Sequence, residues 1–209
     1  METTTVYLIR HAEILRLPKH QITSEDTQLS NEKIILSVKG EQQAAQLSRL
    51  PELQNIQVLF SSSYARAIAT AKYIADKNQV DIQINAAFNE RKLGCLDELE
   101  ALPITRTYTK EQLLDENLKT TGGENRLEVH KRMTQALHKI LEEHAGKTIA
   151  VVSHGAALKF LLMNWCELDE DAELNYKDTA LVLSSPSMVK LVFQKNELLR
   201  LEFPWLNPL

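Results

Sequence analysis

Three strand-length runs that are apolar on both faces constrain this chain most. They are Val6 to Ile9, Val58 to Phe60 with Ile56 before it, and Thr148 to Val152. A strand with one wet face alternates polar and apolar side chains. A strand that does not alternate must be covered on both sides, as in a parallel sheet between helix layers. Helical patterns lie between the runs. Glu41 to Leu50 follows Gly40. Tyr64 to Lys77 carries Tyr64, Ile68, Ala71 and Ala75 on one stripe. Arg126 to Glu143 carries Val129, Met133, Leu137, Ile140 and Leu141 on one face and is stopped by Gly146. Ala156 to Trp165 is almost wholly apolar, which predicts a buried helix. This alternation predicts an α/β fold, a three-layer α/β/α sandwich with a mostly parallel central sheet. Met188 to Phe193 and Glu197 to Phe203 flank Gln194-Lys195-Asn196, which predicts a hairpin adding edge strands.

The 209 residues, 44% of them hydrophobic, suit one domain over 1–209 with a sizeable core. The stretch from Lys92 to Asn125 is long, polar and poorly patterned, with Pro103 and Gly122-Gly123. It is read as an irregular or helical cap-like insertion, about 92–125. A net charge of −4 without a long basic run argues against nucleic acid, so an anionic ligand must be held by local positive charge. Cys95 and Cys166 form no CxxC and lack zinc-ligand spacing, which fits reduced thiols. With no basic-then-apolar leader and no apolar run of membrane-spanning length, no membrane association and a cytoplasmic location are expected.

Chemistry concentrates where the apolar runs end. In an open α/β sheet ligands bind beyond the carboxyl ends of the strands. Arg10-His11 follows the first run, Ser61-Ser62-Ser63-Tyr64-Ala65-Arg66 the second and His154-Gly155 the third. A phosphoryl group in transfer carries charge on three equatorial oxygens, which arginine forks match. Arg10 and Arg66 are therefore the candidate phosphate ligands. A neutral imidazole can attack phosphorus, which makes His11 the candidate nucleophile. His154 would donate to the equatorial oxygens, and Glu90 could protonate the leaving alkoxide if a closed pocket raises its pKa. Arg66 also sits in the first turn of a helix, where a cation opposes the dipole unless it faces an anion.

In order along the chain stand Arg10-His11-Ala12, Leu36-Ser37-Val38-Lys39-Gly40, and Ser61-Ser62-Ser63-Tyr64-Ala65-Arg66-Ala67-Ile68-Ala69-Thr70-Ala71. Asn89-Glu90-Arg91-Lys92-Leu93-Gly94, Gly122-Gly123-Glu124, Ser153-His154-Gly155 and Asp178-Thr179-Ala180 follow. The set resembles the histidine phosphatase superfamily, also called phosphoglycerate mutase-like, over roughly residues 6 to 203. The resemblance implies that fold, a phosphorylated His11, phosphate held by Arg10, Arg66 and His154, Glu90 as proton donor, and a small phosphorylated metabolite as partner. It implies no metal requirement, and no cofactor is called for.

The chain departs from the family pattern at two places. Ala12 stands where the family has Gly, and a positive φ there would be strained. Glu13 is followed by Ile14, Leu15 and Arg16 rather than by the family's phosphate-contacting Asn, leaving Arg16 either as its substitute or as a solvated side chain. Leu17 to Ser30 reads as a loop over the site. Glu124 reads as an N-terminal carboxylate capping the helix from Arg126. His130, His138 and His144 read as solvated, with His144 suited to a helix C-terminus. His20 carries no signal. Trp165 and Trp205 read as packing residues. Arg91 and Lys92 read either as selectors of substrate charge or as a solvated cap.

The first functional reading is a phosphomonoester phosphatase. A phosphoglycerate mutase is the first alternative. Only 63 residues separate Glu90 from His154, which favours the phosphatase, because mutases of the family carry a longer, more basic insertion there. A non-catalytic phospho-ligand module is the second alternative. Phe203-Pro204-Trp205-Leu206 either packs internally or meets a second copy, so a homodimer is one option.

Overall fold

The computed structural model describes residues 2–16, 27–95, 106–171, 173–177 and 179–205. Four parallel strands form the centre: β1 (Thr4–Arg10), β2 (Val58–Ser61), β3 (Ile82–Ile84) and β4 (Thr148–Ser153). Later in the chain come β5 (Glu167–Leu168), β6 (Leu174–Tyr176), β7 (Thr179–Leu181), β8 (Ser187–Gln194) and β9 (Glu197–Trp205). The main sheet runs β3-β2-β4-β1-β8-β9, with the β8–β9 hairpin antiparallel on the β1 side, as the sequence predicts. A small antiparallel sheet, β5-β6-β7, stands apart.

The helices are α1 (Thr27–Lys33), α2 (Val38–Leu47), α3 (Ala65–Asn78), α4 (Arg106–Leu114), α5 (Arg126–Glu143) and α6 (Gly155–Leu162). The two-sided apolarity of the strands is explained by what lies over each face. Val6, Leu8, Ile149 and Val151 pack with Met133 and Leu137 of α5 and Leu158 of α6. Their sequence neighbours Ile9, Ala150 and Val152 pack on the other face with Leu47 of α2 and Ala67, Ala71 and Ile74 of α3. The pleat sends successive side chains to opposite faces, so two helix layers demand two apolar sets.

Several boundaries differ from expectation. The helix expected from Glu41 begins at Val38, because Ser37 caps it by accepting from the Gly40 N–H at 2.9 Å. Leu50 leads instead into a 3-10 turn, Pro51–Leu53. The helix expected over Ala156 to Trp165 ends at Leu162. Of the loop expected over Leu17 to Ser30, positions 17–26 lie outside the described residues, whereas Thr27 to Ser30 are helical in α1. The stretch 92–125 contains α4, with 96–105 outside the described residues. The strands β3, β5, β6 and β7 span two or three residues each, too few to show a period. Among the described residues no helix is long and apolar enough to cross a membrane.

Candidate active site

The site is set first by strand register. Parallel pairing puts Arg10 opposite Ser153, so the next residues, His11 and His154, leave neighbouring strands at one level. Their rings lie 5.2 Å apart in an edge-to-face arrangement. The pairing of Ser61 with Val152 brings Ser62 to the same level. A hydrogen bond of 2.6 Å then joins Ser62 Oγ to His154 Nε2. Each of these strands ends where a polar residue enters a loop or helix start, which is why the carboxyl edge collects chemistry.

His11 is held in one orientation. Its Nδ1 lies 2.7 Å from the Ala12 carbonyl oxygen, which can only accept, so Nδ1 carries the proton. Nε2 is left with a lone pair, towards which Arg66 Nε donates at 3.2 Å. Burial, with the Arg66 guanidinium beside it, pulls the His11 pKa down to about 3. The imidazole is therefore neutral across the ordinary pH range, with its lone pair on Nε2. Burial, then the neighbouring His11 and Arg66 side chains, also hold His154 well below the usual histidine range.

Arg10 and Arg66 flank the pair. Arg66 is buried in the first turn of α3, with its Nη1 donating to the Asn31 carbonyl of α1 at 2.5 Å and its guanidinium 5.0 Å from the Tyr64 ring centroid. Arg10 Nη1 donates to the Leu183 carbonyl. Burial lowers both arginine pKa values from their ordinary level, with the Glu90 charge opposing. Among the described residues, neither Arg10 Nε nor His154 Nδ1, both buried here, has a hydrogen-bond partner. Buried polar groups without partners are rare, and a tetrahedral oxyanion would satisfy both.

Glu90 reaches the same place from the loop after the 3-10 turn Ala86–Phe88. Its Oε1 accepts from the Ala157 N–H at 2.9 Å and from the Arg91 N–H at 2.9 Å, while Oε2 accepts from Ala156 N–H at 3.2 Å. The carboxylate thus sits on the N-terminus of α6, immediately after His154.

Three residues were not singled out for a role in the sequence. Ser62 stood inside a recognised block without one, and only the register shows it beside His154. Arg132 gave no local signal. From mid-helix α5 it donates to the carbonyls of Ala87 at 2.7 Å and Asn89 at 3.0 Å, and to that of Glu90 at 3.4 Å. Its other edge forks onto Glu124, at 2.8 and 2.9 Å. Asn89 holds Ser63 through the Ser63 N–H at 2.9 Å.

Glu124 does not cap α5. The cap is Asn125, in a capping box with Glu128. Burial alone would raise the Glu124 pKa, but Arg132 and the Lys92 N–H bring it below the usual value.

Ala12 escapes the strain expected of a positive φ, since it is not among the left-handed residues; its methyl packs with Leu36 and Ala44. Gly40 has no room for a side chain, since a Cβ there would lie 2.0 Å from the Glu13 carbonyl oxygen. Arg16 is exposed, His138 is exposed and His144 is the C-cap of α5. Trp165 packs on Phe193, with ring centroids 5.7 Å apart. His20, Asp178 and Leu206 lie outside the described residues, as does the side chain of Trp205. Among the described residues no cluster of three or more His, Cys, Asp or Glu side chains is placed to hold a metal ion.

Comparison with known proteins agrees with this geometry. The model of the histidine phosphatase superfamily (branch 1) matches residues 6–196. A probable phosphoglycerate mutase of Erwinia tasmaniensis is 30% identical over 172 residues, covering 80% of this chain and 77% of that protein. A mycobacterial glucosyl-3-phosphoglycerate phosphatase superposes with a TM-score of 0.71 at 18% identity, over 98% of this chain and 99% of that one. A putative alpha-ribazole-5'-P phosphatase of Escherichia coli superposes with a TM-score of 0.67 at 19% identity, over 98% and 96%. At those identities the two structures share the fold with this chain.

Proposed function

We propose, for a chain that belongs to the histidine phosphatase superfamily, that its reaction is hydrolysis of a small phosphomonoester through a phosphohistidine at His11. The observation that carries this reading is the fixed tautomer of His11, a neutral ring with its Nε2 lone pair facing a buried arginine. In the first step Nε2 attacks phosphorus and the P–O bond to the alcohol breaks. Arg66 Nε shifts from Nε2 to an equatorial oxygen, joined there by Arg10 and His154 Nδ1, and Glu90 gives its proton to the leaving alkoxide. In the second step water attacks the phosphoryl group, Glu90 takes its proton, and the N–P bond breaks to release phosphate. No metal enters either step. The described part of the segment 92–125, which includes α4, acts as a cap, within one domain, over the leaving-group side.

The mutase reading draws support from the 30% identity to a probable phosphoglycerate mutase. Against it stands the short stretch between Glu90 and His154. The test is hydrolysis of p-nitrophenyl phosphate in EDTA by wild type and His11→Ala, from mildly acidic to neutral pH. Turnover by wild type, lowered about 10⁴-fold or more in the variant, is expected of a covalent nucleophile. Folded wild type that is inert towards this ester, yet interconverts phosphoglycerates, would overturn hydrolysis in favour of the mutase.

A further inference from the structure

The second histidine, His154, has one proton to place. Burial keeps its ring neutral, with the pKa well below the usual histidine range. A neutral imidazole carries a single N–H, on Nδ1 or on Nε2, and the other nitrogen can only accept. The two choices present opposite characters to a phosphate, one a donor and the other a lone pair. Which one the fold selects is set by the hydrogen bond that the other nitrogen makes.

That bond is to Ser62, whose Oγ lies 2.6 Å from His154 Nε2, and both residues are fully buried. The Tyr64 N–H donates to the same Oγ at 3.2 Å. One lone pair of the hydroxyl is thereby used, and its own proton still needs an acceptor. Among the described residues, His154 Nε2 is the only acceptor bonded to that hydroxyl. If Nε2 carried the ring proton, two donors would converge on Oγ and the hydroxyl proton would be stranded in a buried place, which is costly. With the hydroxyl donating to Nε2, both groups are satisfied and the ring proton goes to Nδ1. Nδ1 is buried and has no hydrogen-bond partner among the described residues. Although His154 is the N-cap residue of α6, its side chain makes no capping bond to that helix. The rings of Tyr64 and His11 bracket it, at 4.9 and 5.2 Å between centroids, and resist a flip that would exchange the two nitrogens.

We propose that Ser62 is a positioning residue: by donating its hydroxyl proton to His154 Nε2, it fixes the tautomer in which Nδ1–H meets an equatorial oxygen of the phosphoryl group. The role rests on the proposed docking of that group at His11, so its test must tell the two apart. His154 keeps its proton throughout, lending a hydrogen bond in both steps, and no proton passes through Ser62. The place of the His154 ring comes from the register of β1, β4 and β2. Removing the hydroxyl therefore leaves the ring where it is and frees only the choice of nitrogen.

NMR of protein labelled with nitrogen-15 in its histidines reads the tautomer directly, with the His154 signals assigned by their loss in His154→Gln. Wild type, Ser62→Ala and Ser62→Thr are compared, and circular dichroism checks that each is folded. Long-range proton–nitrogen couplings should report Nδ1–H for His154 in wild type. In Ser62→Ala the proton should pass wholly or partly to Nε2, and in Ser62→Thr, which keeps the hydroxyl, it should stay on Nδ1. Binding of orthovanadate, measured by calorimetry, should weaken about tenfold in Ser62→Ala and recover in Ser62→Thr. If the added methyl unfolds Ser62→Thr, the comparison with Ser62→Ala decides alone. A wild-type proton on Nε2, or an unchanged tautomer in Ser62→Ala, would overturn the role of Ser62 while leaving phosphate docking at His11 standing. A moved proton with unchanged orthovanadate affinity would overturn it as well, because Nδ1 would then not face the oxyanion. Failure of orthovanadate to bind folded wild type would overturn both assignments.

Discussion

The floor of the site and its roof are held by different forces. The floor consists of His11, Ser62 and His154, each one residue beyond the end of a central strand, and it inherits its geometry from backbone pairing between β1, β2 and β4. The roof consists of the loop through Glu90, and it is pinned by side chains. Arg132 clamps three of its carbonyls, Glu124 orients Arg132, and Ser153 Oγ donates to the Phe88 carbonyl at 2.7 Å. A ladder tolerates loss of any one side chain, but a clamp fails when one partner is removed. Under the proposed reaction, the floor would fix whether phosphoryl transfer happens and the roof how well the proton is delivered.

Four measurements would break or sharpen that contrast. The largest effect should come from Glu90→Gln, with turnover of an alkyl phosphate falling about 10²–10⁴-fold as expected of a lost general acid. Turnover of p-nitrophenyl phosphate should fall far less, because its leaving group scarcely needs a proton. Equal losses on both esters would place Glu90 in phosphate binding and move it from roof to floor. Next, Arg132→Gln should cost about 10–100-fold in kcat through a misplaced Glu90. The acidic or basic limb of its pH profile should move while KM is nearly kept. If KM alone changes, the clamp is not a positioning device.

The third measurement probes the floor alone. The pKa of His11 is near 3 in the fold against about 6.5 in the unfolded chain. Between these values the unfolded chain binds a proton that the fold refuses. Stability is thus full above about 6.5 and falls as pH drops towards 3, by up to about 1.4 kcal/mol per pH unit for each such histidine. His154 acts in the same direction. Urea midpoints at pH 7 and pH 5 should differ for wild type, and His11→Gln should flatten the dependence. An equal slope in that variant would place the acid sensitivity outside the floor. The smallest effect belongs to Asn125→Ala, which removes the α5 cap and should cost about 1 kcal/mol of stability. It should leave kcat unchanged, since α5 still carries Arg132; a drop in kcat would mean that the helix start is part of the roof.

The same division explains what could be read from the sequence. Floor residues follow apolar runs whose two-sided burial fixes both strand and sheet type, so His11, Arg10, Arg66 and His154 could be named with the sheet around them. Glu90 was named from its motif, and the geometry adds the three N–H groups that hold it. Ser62 and Arg132 were not named, because their roles depend on which residues lie across a strand or behind a loop. Spacing along one chain does not encode that. Glu124 resembles a helix cap in the sequence, but Asn125, next to it, is the better cap, and the carboxylate pairs eight residues on with Arg132. The short strands β3, β5, β6 and β7 stayed hidden for want of length. Their existence depends on neighbours, not on their own pattern.

The pairing of Arg10 with Ser153 has a consequence in time. The two residues are separated by most of the chain, so their contact closes a very long loop. It brings high contact order to the one place where the chemistry is assembled. A nascent chain that has emerged only as far as α5 already holds His11 and both arginines but lacks the strand that sets His11 beside its partner. His11 is thus synthesised early and its surroundings are completed late, and a prematurely terminated product would carry an incomplete site.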